Sequence, residues 1–255
     1  MDSFDDRNAS SGPFPAPPAA PGPEPSLPQR FAWLWSAPRK AWTLPLAHSV
    51  WIVALIVLGV SQFGQSWLLR DLVREQMVTN IEQNDRMTEE QKTEIVARME
   101  EGYSSDARYA GQSLLGVVTA LLMMVLVPAA LYLFGLNFGL GARVPFREVF
   151  AVTAFSGLIT VVRDLLRTPI MLQRETLYVF VSPAALVDPN NRALVWALDR
   201  FDVFSLYRLF VLAIGLAVIA RMRPQRAAIP VVAVWLLVTL VGVGFMLSPI
   251  GKLLG

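Results

Sequence analysis

The sequence contains no cysteine and a single histidine, His48. Disulfide bonds, thiolate metal sites and cysteine nucleophiles are therefore excluded, and a histidine-rich metal cluster cannot form. Charge is also scarce, because only 16% of the residues are charged, whereas a soluble domain usually carries about 25%. No HExxH, GxSxG, Walker or Rossmann pattern is present. These absences predict a protein without catalysis or a cofactor, and the net charge of +2 gives no indication of nucleic-acid binding.

Long apolar stretches are what the sequence has instead. Hydrophobic residues make up 54% of the chain, and the mean hydropathy is +0.47. A helix needs about 20 apolar residues to cross a bilayer core of about 30 Å. We predict membrane spans at about 48–69, 113–133, 149–166, 203–220 and 227–248. The expected fold is an all-α polytopic membrane bundle of five transmembrane helices within residues 30–255.

The chain before the first span falls into two parts. Residues 1–29 carry eight prolines among Ala, Ser and Gly. Such a segment cannot bury enough apolar surface to become ordered, so we predict a disordered cytoplasmic tail, with a polyproline ligand for a partner as the alternative. Residues 30–47 combine three tryptophans with Arg30, Arg39 and Lys40. This composition is typical of an anchor at the cytoplasmic membrane interface.

The one long hydrophilic connector covers residues 70–112. Thr88 and Gln91 form a capping-box pattern, which predicts a soluble helix from about 89 to 101 with Gly102 as its C-terminal glycine. Glu94 and Arg98 are spaced to form an ion pair on this helix. We expect the helix to lie solvated against the membrane domain, and the docking of another protein onto it stays open.

Arginines mark the two short connectors between spans. They are Arg143 and Arg147 in one connector and Arg221, Arg223 and Arg226 in the other. With five spans, both connectors lie on the same side as the N-terminus, and the positive-inside rule predicts that this side is cytoplasmic. The C-terminus and the connectors 70–112 and 167–202 are then expected outside.

Ionisable residues gather at the outer ends of the third and fourth spans. They are Arg163, Asp164, Arg167, Asp199, Asp202 and Arg208. Charges at membrane depth are costly, so they are paired or used for function. We predict structural pairs, Asp164 with Arg167 and Asp202 with Arg163 or Arg208, and an ion or proton site is the alternative. Pairing predicts that Asp202→Ala lowers the folded yield and that reversing both partners restores it.

Several residues predict local features of the helices. Gln62, Gln65 and Ser66 share one helix face, which favours hydrogen bonds to a neighbouring helix, with a pore lining as the alternative. Gly135 and Gly139 fit the small-xxx-small pattern of close helix packing. Pro169 is expected to end the third helix. The apolar pieces of 170–198 are too short to span, which favours an interfacial or re-entrant segment.

The run Asp202, Val203, Phe204, Ser205, Leu206, Tyr207, which leads into an apolar helix with Ile214 and Gly215, resembles the Yip-domain family. Members commonly show an Asp-x-Phe-x-x-Trp stretch before such a helix, and Tyr207 stands here in the tryptophan position. The stretch from Trp35 to Arg39 also looks like the Pro-Arg entry of bacterial relatives. Eukaryotic relatives are implicated in Rab-dependent vesicle traffic and membrane shaping.

The resemblance implies a five-span, bacterial-type protein of the inner membrane, with its N-terminus in the cytoplasm and its C-terminus outside. The expected function is a non-enzymatic scaffold that organises the membrane or binds partners. The alternative is a small transporter or channel for an ion or solute, which would use the outer Asp and Arg residues. The lipid bilayer is the expected partner, and membrane or cytoplasmic protein partners and a homo-oligomer stay open.

Overall fold

The computed structural model describes residues 25–42, 48–84, 87–188 and 191–248, which form helices and their connectors without a strand. In chain order the helices are α1 (Leu27–Ser36), α2 (Pro38–Ala41), α3 (His48–Leu68), α4 (Arg70–Glu82), α5 (Glu89–Tyr103), α6 (Asp106–Gly139), α7 (Phe146–Arg174), α8 (Arg192–Asp199), α9 (Val203–Ile219) and α10 (Pro224–Leu247). A 3₁₀ turn, Pro183–Leu186, precedes α8. The predicted all-α class is confirmed.

Four helices are long and apolar enough to cross a membrane: α3, α6, α7 and α10. Helix α9 has 17 residues, which at 1.5 Å per residue gives a length of about 25 Å. It reaches spanning length only together with α8, from which it is bent by 49°. The polytopic helical bundle is thus confirmed. The count of five spans requires α8 and α9 to cross as one unit, and it stays a prediction.

Helices α6 and α7 are longer than the spans predicted at 113–133 and 149–166. The hydroxyl of Ser105 accepts the backbone N–H of Arg108 at 3.3 Å and so starts α6 inside the hydrophilic connector. Pro169 does not end α7, which continues to Arg174, so that prediction was wrong. A proline removes one backbone hydrogen bond from the helix, and the surrounding packing outweighs this loss here. Residues 170–174 therefore belong to α7 and not to a re-entrant segment.

Helices α1 and α2 form a hairpin that corrects two expectations. The hydroxyl of Ser26 accepts the N–H of Gln29, and Pro28 occupies the first turn, where its missing N–H costs nothing. Helix α1 therefore begins inside the predicted tail 1–29, of which residues 1–24 lie outside the described residues. Trp42, expected at the interface, is fully buried in the core, where its ring meets Phe155 edge to face.

Side-chain contacts along the helices fix their relative directions. Helices α3 and α7 run parallel, since Trp51 contacts Phe150 near their starts and Gln65 contacts Thr168 further along. Helix α6 runs antiparallel to α3, and α9 runs antiparallel to α7. The two short arginine-bearing connectors therefore lie at the end of the bundle where α3 begins. The charged residues of α7 lie towards the opposite end.

Helix α7 is the centre of the bundle. In its most apolar window 61% of the residues are buried, against 17% to 22% in α3, α6 and α10. Gly157 of α7 lies against Leu58 of α3, and Gly215 of α9 lies against Val152 of α7 and Trp42. A methyl group on Gly215 would be 2.6 Å from Val152 Cγ1 and 2.8 Å from Trp42 Cε2. Glycine is therefore required for this close approach of α9 to α7 and α2.

Of the predicted glycine pair, only Gly135 lies at a helix contact, where a Cβ atom would be 2.7 Å from Pro230 Cβ of α10. Gly139 has no neighbour within 4 Å of a Cβ position in the described part of the chain. The predicted close helix packing is therefore found at Gly135 and not at Gly139.

The hydrophilic connector folds into the hairpin of α4 and α5. Thr88 and Gln91 exchange both capping-box hydrogen bonds, and Glu94 pairs with Arg98 at 2.6 Å, as predicted. Gly102 lies within α5 and not at its end, because the helix continues to Tyr103. A Cβ atom on Gly102 would be 2.8 Å from Gln112 Nε2, so this glycine makes room for Gln112 instead of ending the helix.

We expect Gly215→Ala to destabilise the bundle by about 1–3 kcal/mol, because the added methyl group overpacks the contact with Val152 and Trp42. Gly244→Ala in α10 is the matched control, since a Cβ there meets nothing within 4 Å. The control should be neutral or stabilising by up to about 1 kcal/mol, because alanine favours a helix. Thermal unfolding of the purified variants in detergent measures both changes, and equal melting temperatures would contradict the prediction.

Candidate functional site: a charged layer at one end of the bundle

Five of the six charged residues singled out in the sequence come together at one end of the bundle. Arg163, Asp164 and Arg167 lie in the second half of α7, Asp199 is the last residue of α8, and Asp202 precedes the first turn of α9. We call these five residues the charged layer. Arg208 lies apart from them, further along α9.

Arg163 bridges two buried carboxylates. Its Nη2 lies 3.0 Å from Asp164 Oδ1, and its Nη1 lies 3.7 Å from Asp202 Oδ2. The two carboxylate side chains are only 6% and 3% exposed. Asp164 also accepts a hydrogen bond from Gln62 Nε2 at 3.4 Å. One guanidinium thus joins α7 to α9, and Asp164 joins α7 to α3.

Arg167 turns away from Asp164 towards α8. Its Nη1 lies 3.7 Å from Asp199 Oδ2, its Nε donates to the carbonyl of Val179, and its Cζ lies 5.7 Å from the ring centroid of Phe180. Asp199 Oδ1 accepts the hydroxyl of Ser182 at 3.1 Å. The predicted pair of Asp164 with Arg167 therefore does not form. Asp164 instead contacts Gln62 of α3, and Arg167 contacts Asp199 of α8. Contacts between separate segments of this kind cannot be read from the spacing within one helix.

Asp202 is the N-cap of α9. Its Oδ1 accepts the backbone N–H groups of Phe204 and Ser205, both at 2.9 Å, and its Oδ2 accepts the Ser205 hydroxyl. Besides the Arg163 cation, the positive end of the helix dipole also stabilises this negative charge. An aspartate placed just before an apolar helix, three residues ahead of Ser205, is typical of an N-cap, and the sequence analysis did not predict this cap. An arginine in this position could not accept these bonds, so reversing the charges of Arg163 and Asp202 is no longer expected to restore folding.

The polar face of α3 is satisfied by two neighbouring helices. Gln65 Nε2 donates to Thr168 Oγ1 at 3.2 Å, and Ser66 Oγ lies 3.0 Å from the hydroxyl of Tyr109 and 3.1 Å from that of Ser113. The prediction of hydrogen bonds between helices is confirmed.

Arg208 contacts the backbone of α6. Its Nη2 donates to the carbonyl of Met124 at 3.3 Å, and no described carboxylate lies within ion-pair distance of it. Met124 stands four residues before Pro128, which has no N–H to give to the preceding turn. Two π-helical turns, Leu122–Leu126 and Gly135–Gly139, interrupt α6 around this region. Arg208 thus gives the Met124 carbonyl, close to this proline, a hydrogen-bond donor from another helix.

The space beside these polar groups is small. A cavity lined by Gln62, Thr160 and Arg208, among apolar residues, has a volume of about 20 Å³. This volume holds about one water molecule. No three acidic or histidine side chains in the described ranges are placed to hold a metal ion. The arrangement provides ion pairing between helices.

A family model described as the Yip1 domain matches residues 28–246. The chain belongs to the Yip1 domain family. No curated protein and no solved structure matches it. The Yip1 match includes the charged layer and Arg208, and it ends within α10. Together with the spanning helices, it identifies a multi-pass membrane protein of Yip1 type. The bacterial type and the inner-membrane location stay predictions.

We expect Asp202→Ala to destabilise this Yip1 protein more than Asp202→Asn. Both changes leave Arg163 without one carboxylate, which can cost about 3–5 kcal/mol in a buried pair. Asparagine keeps an oxygen at the N-cap, so the alanine variant should lose about 1 kcal/mol more. Folded yield and thermal unfolding in detergent measure the difference. Glu94→Ala, in the exposed pair with Arg98, is the control and should cost no more than about 0.5 kcal/mol. An equal loss for Asn and Ala would argue against the cap.

We expect the effects of Arg208→Leu and Pro128→Ala to be coupled. In the native chain Arg208→Leu leaves the Met124 carbonyl without its side-chain donor. Alanine at 128 restores an N–H four residues after Met124, so Arg208→Leu should cost less in that background. A double-mutant cycle on unfolding should give a coupling energy of about 0.5–3 kcal/mol, the range for residues in contact. Strictly additive effects would show that Arg208 does not substitute for the missing N–H.

Proposed function

We propose that this Yip1-domain protein is a non-enzymatic scaffold that organises the membrane or binds protein partners. The observation that supports it is the pairing of the carboxylates of the charged layer with arginines inside the bundle. Arg163 lies between Asp164 and Asp202, and Arg167 faces Asp199. Each of the three carboxylates thus lies within ion-pair distance of an arginine inside the bundle, which stabilises the arrangement of the helices and disfavours the use of these carboxylates for a transported ion.

The outer surface of the bundle supports the same proposal. Helices α3, α6 and α10 bury less than a quarter of the residues in their apolar windows, so much of their apolar surface is partly or fully exposed. These surfaces offer contact area to lipid and to other membrane proteins. We further propose an inner-membrane location with the arginine-bearing connectors in the cytoplasm, following the positive-inside rule.

Two measurements on the full chain test this proposal. Crosslinking in native membranes followed by pull-down should recover the same protein partners in repeated preparations. Reconstituted liposomes should show no protein-dependent flux of H⁺, Na⁺ or K⁺. Asp202→Asn serves as the matched variant in the liposomes, because it removes the charge and keeps the helix cap. Protein-dependent flux that is lost in Asp202→Asn would overturn the scaffold and favour the small transporter.

A further inference from the structure

An apolar groove runs between α3 and α6 on the outside of the bundle. Ile56, Val60 and Phe63 line one side, and Ala110, Leu114 and Val117 line the other. Its volume is about 610 Å³, and every residue that lines it is apolar. Gly111 belongs to the same lining, and a Cβ atom placed on it would meet nothing within 4 Å. The groove is therefore open space and not part of the packed core.

The size of the groove matches a hydrocarbon chain. If one methylene group takes about 30 Å³, the share of a water molecule in the liquid, the groove has room for about 20 such groups. Apolar lining offers water no hydrogen bond, so a chain of methylene groups is the favoured occupant in a bilayer. The lining extends over seven residues of α3, from Ile56 to Phe63, which is about 10 Å, so the groove accommodates a segment of a phospholipid acyl chain.

Aromatic rings lead from the groove to a cation. Phe63 stacks on Trp67 with ring centroids 6.0 Å apart, and Trp67 meets Tyr109 edge to face at 5.6 Å. The Cζ atom of Arg70 lies 4.7 Å from the Tyr109 ring centroid. Seven residues of helical rise place Arg70 about 10 Å beyond Phe63. Tryptophan and tyrosine favour the headgroup level, so Arg70 lies at the depth expected for a lipid phosphate.

The rim of the groove carries charges of both signs. Arg70 Nη1 lies 2.6 Å from Asp106 Oδ1, and Nη2 donates to the carbonyl of Tyr103 at 2.8 Å. The guanidinium of Arg70 is always charged, and the hydrogen bond to Asp106 raises its pKa further above the ordinary value. The Asp106 side chain is 78% exposed and open to a second cation. Connector 70–112 contains ten acidic and six basic residues, a balance that disfavours a purely anionic headgroup.

We propose that the groove between α3 and α6 binds an acyl chain of a zwitterionic phospholipid, with the phosphate facing Arg70 and the ammonium group facing Asp106. The groove selects the chain by shape and apolar contact, and the rim selects the headgroup by charge. This site uses only residues of the outer faces of two helices of one chain.

Native mass spectrometry of the full chain, taken from liposomes of equal phosphatidylethanolamine and phosphatidylglycerol, tests the proposal. The native chain should retain phosphatidylethanolamine in preference to phosphatidylglycerol. Gly111→Leu fills the groove and should reduce the retained lipid about tenfold, because the new side chain displaces at least two methylene groups. Gly116→Leu, on the same helix but outside the groove, should retain lipid as the native chain does.

A second variant tests the headgroup separately. Asp106→Asn should keep the acyl chain bound but abolish the preference for phosphatidylethanolamine. Thermal unfolding checks that each variant is folded, and Val60→Phe replaces Gly111→Leu if the latter does not fold. Equal lipid retention by the groove-filling and control variants, or a preference for phosphatidylglycerol in the native chain, would overturn the proposal.

The competing occupant is a second copy of the chain. Because the sequence has no cysteine, Leu114→Cys introduces a unique thiol at the edge of the groove. We expect no rapid disulfide-linked dimer of this variant in native membranes. Efficient dimer formation would assign the groove to a second copy and reject the lipid site.

Discussion

Pairing of charge inside the helical bundle is the constraint on which the rest of this structure depends. Helix α7 buries most of its apolar length and yet carries Arg163, Asp164 and Arg167 in its second half. Those charges would be costly in lipid, so carboxylates and polar groups from other segments have to surround them. Arg163 pairs with Asp202 at the start of α9, and Arg167 pairs with Asp199 of α8. Gln62 of α3 donates a hydrogen bond to Asp164. These contacts link α7 to three other helices.

Backbone hydrogen bonding is the second constraint, and it explains the position of Arg208. A lipid environment offers no water to a carbonyl that a proline leaves without a partner. Helix α6 contains Pro128 and two π-helical turns, and the guanidinium of Arg208 reaches the Met124 carbonyl four residues before the proline. Close packing at Gly215 and Gly135 holds α9 and α10 near enough for such contacts. A charged side chain that resembles an ion site in the sequence thus acts as a hydrogen-bond donor to the backbone.

These two constraints shape what a Yip1 domain of this kind offers to its surroundings. The polar groups are used inside the bundle, whereas the apolar faces of α3, α6 and α10 point outwards. On that outer surface, an apolar groove lies between α3 and α6, and aromatic residues lie beside the groove towards the charged end of α6. The lipid recognition proposed here depends on the shape of the groove and on the charges at its rim.

Composition and the length of the apolar stretches determined the all-α membrane fold, because hydrophobicity over about 20 residues is a local property. The capping box at Thr88 was also predictable, and so was the hydrogen bonding of the polar face of α3, which includes Gln62, to a neighbouring helix. Both features depend on helical spacing. Only the tertiary structure decided that Arg167 pairs with Asp199 and not with Asp164, that α7 continues through Pro169, and that Trp42 is buried. Each of these outcomes depends on which segment approaches from elsewhere in the chain, and local spacing contains no information about that approach.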